Sequence, residues 1–330
     1  MSAGMLVVMI SAERLAEASA IVYRHMQPTP QFAWPILSDE IGAEVWLKHE
    51  DATPTGAFKV RGGFVLMERL TRERPHVAGI VSATRGNHGQ SLAYAGREYG
   101  VSVTIVVPEG NSVEKNAAMR AFGADVVIHG SDFQEALEHS VRLGDERGLE
   151  IVPPFHPDLV AGVSTYAKEL FDATGELDAV YVPVGMGSGI NGVIAIRDLL
   201  GLRTEIIGAV SSNAPATALS HAARKPVPTI SAHTFVDGVA TRSPDPKSLA
   251  GMYDGAARIV QVGDDAVAEA MRLIYRATHH LAEPAGAIAV AALNSEKECQ
   301  RGKRVGAVLT GSNMDTSMAA AVLSGHTPLP

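Results

Sequence analysis

The sequence predicts an α/β fold of two domains, each an open, twisted parallel sheet with helices on both faces. Three observations predict it. From Ala78 onward, short apolar runs alternate with amphipathic segments of helical length, the pattern of parallel sheets covered on both sides. Glycines stand at the junctions between these segments, at Gly86, Gly100, Gly123 and Gly185, where tight loops are expected. The chain has 330 residues, 46% hydrophobic and 19% charged. That length buries most of its apolar surface without staples and, at roughly 150 residues per domain, favours two domains.

The elements follow in order. Ser11 is a good N-cap for a helix over 12–23, with Glu13 in its first turn. Gln27-Pro-Thr-Pro30 ends it. Residues 44–48 alternate like a strand. Thr53-Pro-Thr-Gly56 is turn chemistry, and a helix is expected over 59–69. Apolar runs at 79–82, 103–107, 125–128 and 150–152 are separated by helical patterns at 88–99, 113–122 and 132–147. Further runs lie at 179–184, 205–210 and 304–309. No tandem repeat and no long polar linker divides the chain, so the domains must share it by crossing over. A large domain is expected from 1–76 and 157–330, with 77–156 inserted as a smaller one. Residues 213–254 carry Pro215, Pro226, Pro228, Pro244 and Pro246 and are expected to wander over the surface.

Composition excludes several function classes. The apolar content excludes intrinsic disorder, and the unperiodic spread of 32 Gly and 18 Pro excludes collagen-like and low-complexity chains. A single cysteine, Cys299, makes no internal disulfide and no cysteine zinc site, which fits a reducing compartment. The net charge is −8 with no basic block, against nonspecific nucleic-acid or anionic-membrane binding. The apolar run 5–10 has no Lys or Arg before it and makes a poor signal peptide. No stretch has the length to span a bilayer. A cytoplasmic protein is expected.

Four clusters at strand ends or loops can carry chemistry, the ends of strands being where α/β sheets bind ligands. In 55–63, Lys59 lies between Phe58 and Val60 in a glycine-rich turn. It is either a solvated lysine or one whose apolar surroundings lower its pKa and make it a nucleophile. Ser82-Ala-Thr-Arg-Gly-Asn-His-Gly89 follows a strand and opens a helix, so it is an ordinary cap or a site for an anion such as a carboxylate. Val184-Gly-Met-Gly-Ser-Gly-Ile190 repeats that strand–loop–helix pattern. Its glycine spacing is neither GxGxxG nor a P-loop, and it reads as a phosphate cup or as a tight turn. Leu309-Thr-Gly-Ser-Asn313 follows the last strand with small hydroxyl and amide groups, suited to a ring nitrogen or to a helix cap. No metal site is expected: His279 and His280 are adjacent, which aims them apart on a helix, and there is no HExxH. There is no GxSxG either.

Taken together, Ala57-Phe-Lys-Val-Arg-Gly62, Gly86-Asn-His-Gly-Gln90, the loop at Gly185, Asp237-Gly-Val239, Glu283-Pro-Ala-Gly286 and Thr310-Gly-Ser-Asn313 resemble the threonine/serine dehydratase and serine racemase family. These are pyridoxal-phosphate enzymes of fold type II, the tryptophan synthase β-like fold. The resemblance runs from Trp46 to Asn313 and rests on six motifs in order.

It implies β-elimination from a β-hydroxy amino acid such as L-threonine or L-serine, giving a 2-oxo acid and ammonia, with pyridoxal 5′-phosphate in the cleft between the domains. It implies that Lys59 bonds to the cofactor and then takes the Cα proton. Phe58 would pack by the cofactor ring and Asn87 bond its 3′-oxygen. Gly185, Met186, Gly187, Ser188 and Gly189 would cradle its phosphate. Glu283 would lie beside it, and Thr310 would face the ring nitrogen. Thr84, Arg85, Gly86, Asn87 and His88 would hold the substrate. Closure of the small domain would exclude water. A homodimer is expected.

Three departures qualify this. Arg85 stands where the family commonly has the serine that serves racemases as a second base. A guanidinium is a poor proton acceptor, so racemisation by two opposed bases is not expected; an amino acid racemase or a β-replacement enzyme of the same fold is the alternative to elimination. Arg85 can bind the α-carboxylate, bind a second substrate carboxylate such as that of 3-hydroxyaspartate, or pair with an Asp or Glu. Val210 and Ala216 stand where relatives place the carboxylates of a divalent cation site. The chain ends 17 residues after Asn313, where biosynthetic threonine deaminases carry a regulatory domain, so feedback by isoleucine is not expected. The Ala-Thr-Arg-Gly-Asn-His-Gly and Gly-Met-Gly-Ser-Gly variants are similar to dehydratases of hydroxyectoine breakdown, which makes a hydroxyectoine-derived amino acid a further candidate substrate.

Overall fold

The structure is a computed structural model describing residues 10–330; all of the 5–10 run except Ile10 lies outside them. Helix α1 (Ala12–Val22) starts where expected, the Ser11 hydroxyl accepting from the Arg14 N–H at 3.2 Å. Then come β1 (Gln31–Ala33), α2 (Pro35–Ile41), β2 (Glu44–His49) and α3 (Val60–Glu73). The segment between residues 80 and 151 holds β3 (Ile80–Ala83), α4 (Asn87–Tyr99), β4 (Val103–Val107), α5 (Val113–Ala121), β5 (Asp125–Ile128), α6 (Phe133–Arg147) and β6 (Glu150–Ile151). The remainder supplies α7 (Pro157–Thr174), β7 (Ala179–Pro183), α8 (Ser188–Leu199), β8 (Glu205–Ser211), α9 (Ala216–Ala223), α10 (Pro246–Gly255), β9 (Arg258–Val262), α11 (Asp264–Thr278), α12 (Pro284–Ser295) and β10 (Arg304–Leu309).

Two sheets result. A six-stranded sheet runs β1-β2-β10-β7-β8-β9 and a four-stranded one β5-β4-β3-β6. Every pairing is parallel except β1 with β2 at the edge. All four strands of the smaller sheet fall within 77–156. Both sheets explain why the central runs are apolar throughout rather than alternating. All residues of β3, β4 and β7 are buried, as parallel strands covered on both faces require.

Helix α3 ties the two sheets together. It packs on α4 and on α7, and the approach to α7 is close enough that only glycine fits. A Cβ on Gly62 would lie 2.8 Å from the Leu159 carbonyl oxygen, and one on Gly162 would lie 2.2 Å from that of Arg61. This crossing fixes the start of α3, where Lys59 is the N-cap residue.

The segment 213–254 differs from expectation. It contains α9, α10 and a 3-10 turn at Asp237–Val239, and Phe235, Val236 and Val239 are buried. Proline breaks the hydrophobic period without forcing the chain outward. Pro246 occupies the first turn of α10, where its missing N–H costs nothing, and Asp245 caps that helix.

Candidate active site

The C-terminal ends of β3, β7 and β10 open onto one cavity of about 720 Å³. Every site residue expected from the sequence lines it: Phe58 and Lys59, the run Thr84 to His88, the run Gly185 to Gly189, Glu283 and Thr310. Five segments remote in sequence meet there because each follows a strand or caps a helix at the same end of its sheet.

Lys59 stands on the cavity wall with its Nζ 4.7 Å from the centroid of the Phe58 ring. Burial lowers its amine to about 8, while the Glu283 charge acts the other way. Among the described residues Nζ has no hydrogen-bond partner. His88 is also buried there, and burial with the Lys59 charge holds its imidazole down at about 3. It is neutral, and its Nε2 is unpartnered.

The loop after β7 is shaped by contacts that exclude side chains. Gly187 has φ +89°, and a Cβ there would lie 2.0 Å from the Ser248 Oγ. A Cβ on Gly185 would lie 2.5 Å from the Gly238 carbonyl oxygen. Helix α8 then begins at Ser188 with no capping side chain, and α4 begins at Asn87 in the same way. Side chains cap α1, α5, α6, α7 and α10, while α2, α3, α9, α11 and α12 share the uncapped start. Two helix N-termini therefore present free N–H groups to one cavity, and each favours an anion. This donor set fits a phosphorylated cofactor and a carboxylate, with Lys59 between aromatic and charged neighbours.

Polar side chains join the walls. Asn87 donates to a Glu283 carboxylate oxygen at 2.5 Å, and its own carbonyl oxygen accepts from Asn313 at 2.9 Å. Burial raises Glu283 to about 7, against the opposing charge of Lys115. The Thr310 hydroxyl donates to the Ala285 carbonyl at 3.3 Å, which leaves its oxygen able to accept.

Lys115 was not expected. It reaches from α5 to Asp237 at 2.5 Å and to Glu283 at 3.6 Å. Asp132 and Arg242 form a second pair across the cavity at 3.6 Å. The partners are more than a hundred residues apart, so no local spacing announces them; the only signal was the Asp237-Gly-Val239 motif. Arg85 lies on the cavity wall, exposed. Among the described residues it has no carboxylate within 4.0 Å, so a pairing with Asp or Glu is not what this structure holds.

Val210 and Ala216 are buried. Elsewhere, ligand atoms of His49, Asp51 and His280 lie within 4.8 Å of one another. Trp34 Nε1 donates to His49 Nε2 at 3.0 Å, which leaves the ring proton on Nδ1, facing Asp51 at 3.2 Å. His280 meets the other Asp51 oxygen at 2.8 Å. With that lone pair taken, the cluster is a hydrogen-bonded chain rather than an open ligand set.

Comparison with known proteins agrees with this geometry. The family profile described as pyridoxal-phosphate dependent enzyme matches residues 22–311. Biosynthetic L-threonine dehydratase of Haemophilus influenzae is 32% identical over 299 residues, covering 89% of this chain and 58% of that one. This chain thus spans under two thirds of the length of such relatives. L-threo-3-hydroxyaspartate ammonia-lyase of a Pseudomonas species is 32% identical over 298 residues, covering 90% and 93%. The processed form of threonine deaminase isoform 2 from Solanum lycopersicum superposes with a TM-score of 0.87 at 30% identity, covering 97% and 96%.

Proposed function

The chain belongs to the pyridoxal-phosphate dependent enzymes, and on that premise we propose that it is an ammonia-lyase that dehydrates and deaminates a β-hydroxy amino acid to a 2-oxo acid. The observation that carries this reading is Lys59: an amine lowered to about 8 by burial, in a cavity that offers two uncapped helix N-termini. The names of the relatives, threonine dehydratase and hydroxyaspartate ammonia-lyase, support the same class.

When bound, pyridoxal phosphate supplies the electron sink that makes the Cα proton acidic. In the proposal Lys59 would hold the cofactor covalently and would serve as the base for the substrate's Cα proton. Its lowered pKa keeps a share of the amine neutral near neutral pH, as a general base requires. Gly185 to Gly189 would hold the phosphate on the α8 N–H groups, with Ser188 as an added donor. Phe58 would pack beside the ring, Asn87 would orient it, and Glu283 would fix Asn87. Thr310 would meet the ring nitrogen with a neutral hydroxyl. Thr84 to His88 would receive the substrate carboxylate. The segment 77–156 would act as a small domain over the cleft, held by the Lys115–Asp237 and Asp132–Arg242 pairs. A guanidinium is a poor proton acceptor, so Arg85 in the place of a second base disfavours racemisation.

A cytoplasmic homodimer belongs to the same proposal. It is supported by the single, unpaired Cys299 and by the prevalence of symmetric dimers. Among the described residues no helix is long and apolar enough to cross a membrane.

The test is ammonia and 2-oxo acid release from cofactor-loaded protein. The panel is L-threonine, L-serine, the 3-hydroxyaspartate stereoisomers and a hydroxyectoine-derived hydroxy amino acid. Release of both products from at least one member is expected; no release from any would overturn the proposal.

The phosphate cradle makes a separate prediction. Gly187→Ala places a side chain at φ +89° and into Ser248. Left-handed strain alone costs about 1–2 kcal/mol, so the dissociation constant for pyridoxal phosphate should rise about tenfold or more. Equilibrium titration of the apoprotein, followed by cofactor absorbance, measures it.

A further inference from the structure

We propose that Arg85 binds a second, side-chain carboxylate of the substrate and so selects a dicarboxylic β-hydroxy amino acid. The inference rests on the ammonia-lyase reading above and narrows its substrate class. Charge bookkeeping in the cavity carries it. Among the charged side chains that line it, Lys115 is held by Asp237 at 2.5 Å and Glu283 at 3.6 Å. Arg242 is held by Asp132 at 3.6 Å. Lys59 is committed to the cofactor. Arg85 alone remains, exposed in the cavity with no carboxylate among the described residues within 4.0 Å.

The other anions of the reaction already have receivers. The phosphate cradle follows β7, on the six-stranded sheet, whereas Arg85 follows β3, on the four-stranded one. The α-carboxylate has the open start of α4, where no side chain caps the helix and the Asn87 and His88 N–H groups have no acceptor among the described residues. A substrate with one carboxylate leaves Arg85 without a partner. A substrate with two uses it, and a guanidinium offers the planar fork that a carboxylate matches with two hydrogen bonds. The shortest such substrate is 3-hydroxyaspartate.

The experiment compares wild type, Arg85→Gln and Arg85→Lys as holoenzymes on 3-hydroxyaspartate and on serine. Wild type is expected to favour the dicarboxylic substrate. Arg85→Gln should lower kcat/KM for 3-hydroxyaspartate about 10- to 100-fold more than for serine, the range of a lost charge-assisted bond. Arg85→Lys, which keeps the charge and loses the fork, should recover only part of it. An equal fall on both substrates would mean that Arg85 serves the α-carboxylate, and the inference fails while the ammonia-lyase reading stands. A wild-type preference for serine or threonine overturns it likewise. If no substrate yields ammonia, the reaction assignment fails, and calorimetry of succinate against butyrate still judges Arg85. Tighter succinate binding that Arg85→Gln abolishes supports the site, and equal binding removes it.

Discussion

Lys59→Ala is expected to lower ammonia release by about three orders of magnitude or more, while the protein stays folded. The change removes two roles at once. A positioned general base contributes roughly 10²- to 10⁴-fold, and the covalent tether to the cofactor is lost with it. Folding should be spared because Nζ makes no hydrogen bond among the described residues, and its burial already disfavours the charged form. A truncated side chain there removes a desolvated amine rather than a stabilising contact. Two measurements separate the roles. Borohydride treatment of the loaded wild type should fix the cofactor on the peptide carrying Lys59, read as a mass increase, and should fix none on the variant. Added small primary amines should restore part of the activity if proton abstraction is the missing function. Activity retained at more than a tenth of wild type would show that another group takes the Cα proton.

How much of this was legible in the sequence depends on whether a feature is local. The β3, β4, β7, β8 and β10 runs were read to within a residue at their ends, because a parallel strand covered on both faces leaves an unbroken apolar run. The site residues all reached one cavity for a related reason. Each belongs to a short motif at the end of a strand or the start of a helix, so its position follows from the element beside it. Features made by distant partners were invisible. Lys115 looks like a surface residue of α5 until Asp237 meets it. β1 is three residues long and pairs antiparallel at the edge, too short to show a period. Helix α12 is buried over Pro284–Leu293, so it has no polar face to mark it as a helix. In 213–254 proline masked a buried path. Arg61 was read within a motif, yet nothing around it signals that the side chain is fully buried.

That buried arginine gives the largest expected effect on stability. Arg61 lies two residues beyond Lys59 on α3, with no exposure. Its Nε donates to Glu50 at 2.7 Å, and Nη1 donates to Glu169 at 2.6 Å and to Thr165 at 2.9 Å. Nη2 reaches Glu50 at 2.9 Å, Glu169 at 3.0 Å and Thr29 at 3.1 Å. Lys48, also buried, donates to Glu169 at 2.5 Å. Two cations thus balance two carboxylates inside the protein. Arg61→Met keeps much of the volume and leaves Glu50 and Glu169 with one cation between them. Breaking a buried pair by removing one partner costs about 3–5 kcal/mol, which should appear as a lower urea midpoint at an unchanged slope. Arg61→Lys should not rescue it, because a point charge cannot serve both carboxylates as the fork does. The pH dependence has a definite sign. Burial pushes Glu169 up, but Arg61 and Lys48 outweigh it and hold its carboxyl below the usual range. In wild type that lowered pKa adds stability above the unfolded carboxylate range, and the gain is lost as the pH falls through the folded value. Without Arg61 the burial of Glu169 is less opposed and that carboxylate protonates more readily, so the gap between wild type and variant should narrow from pH 7 towards pH 5. The double variant Arg61→Met with Glu50→Gln should recover part of the loss at pH 7. A gap that is the same at both pH values, or a double variant no more stable than the single one, would mean that Arg61 stabilises α3 by packing rather than by charge.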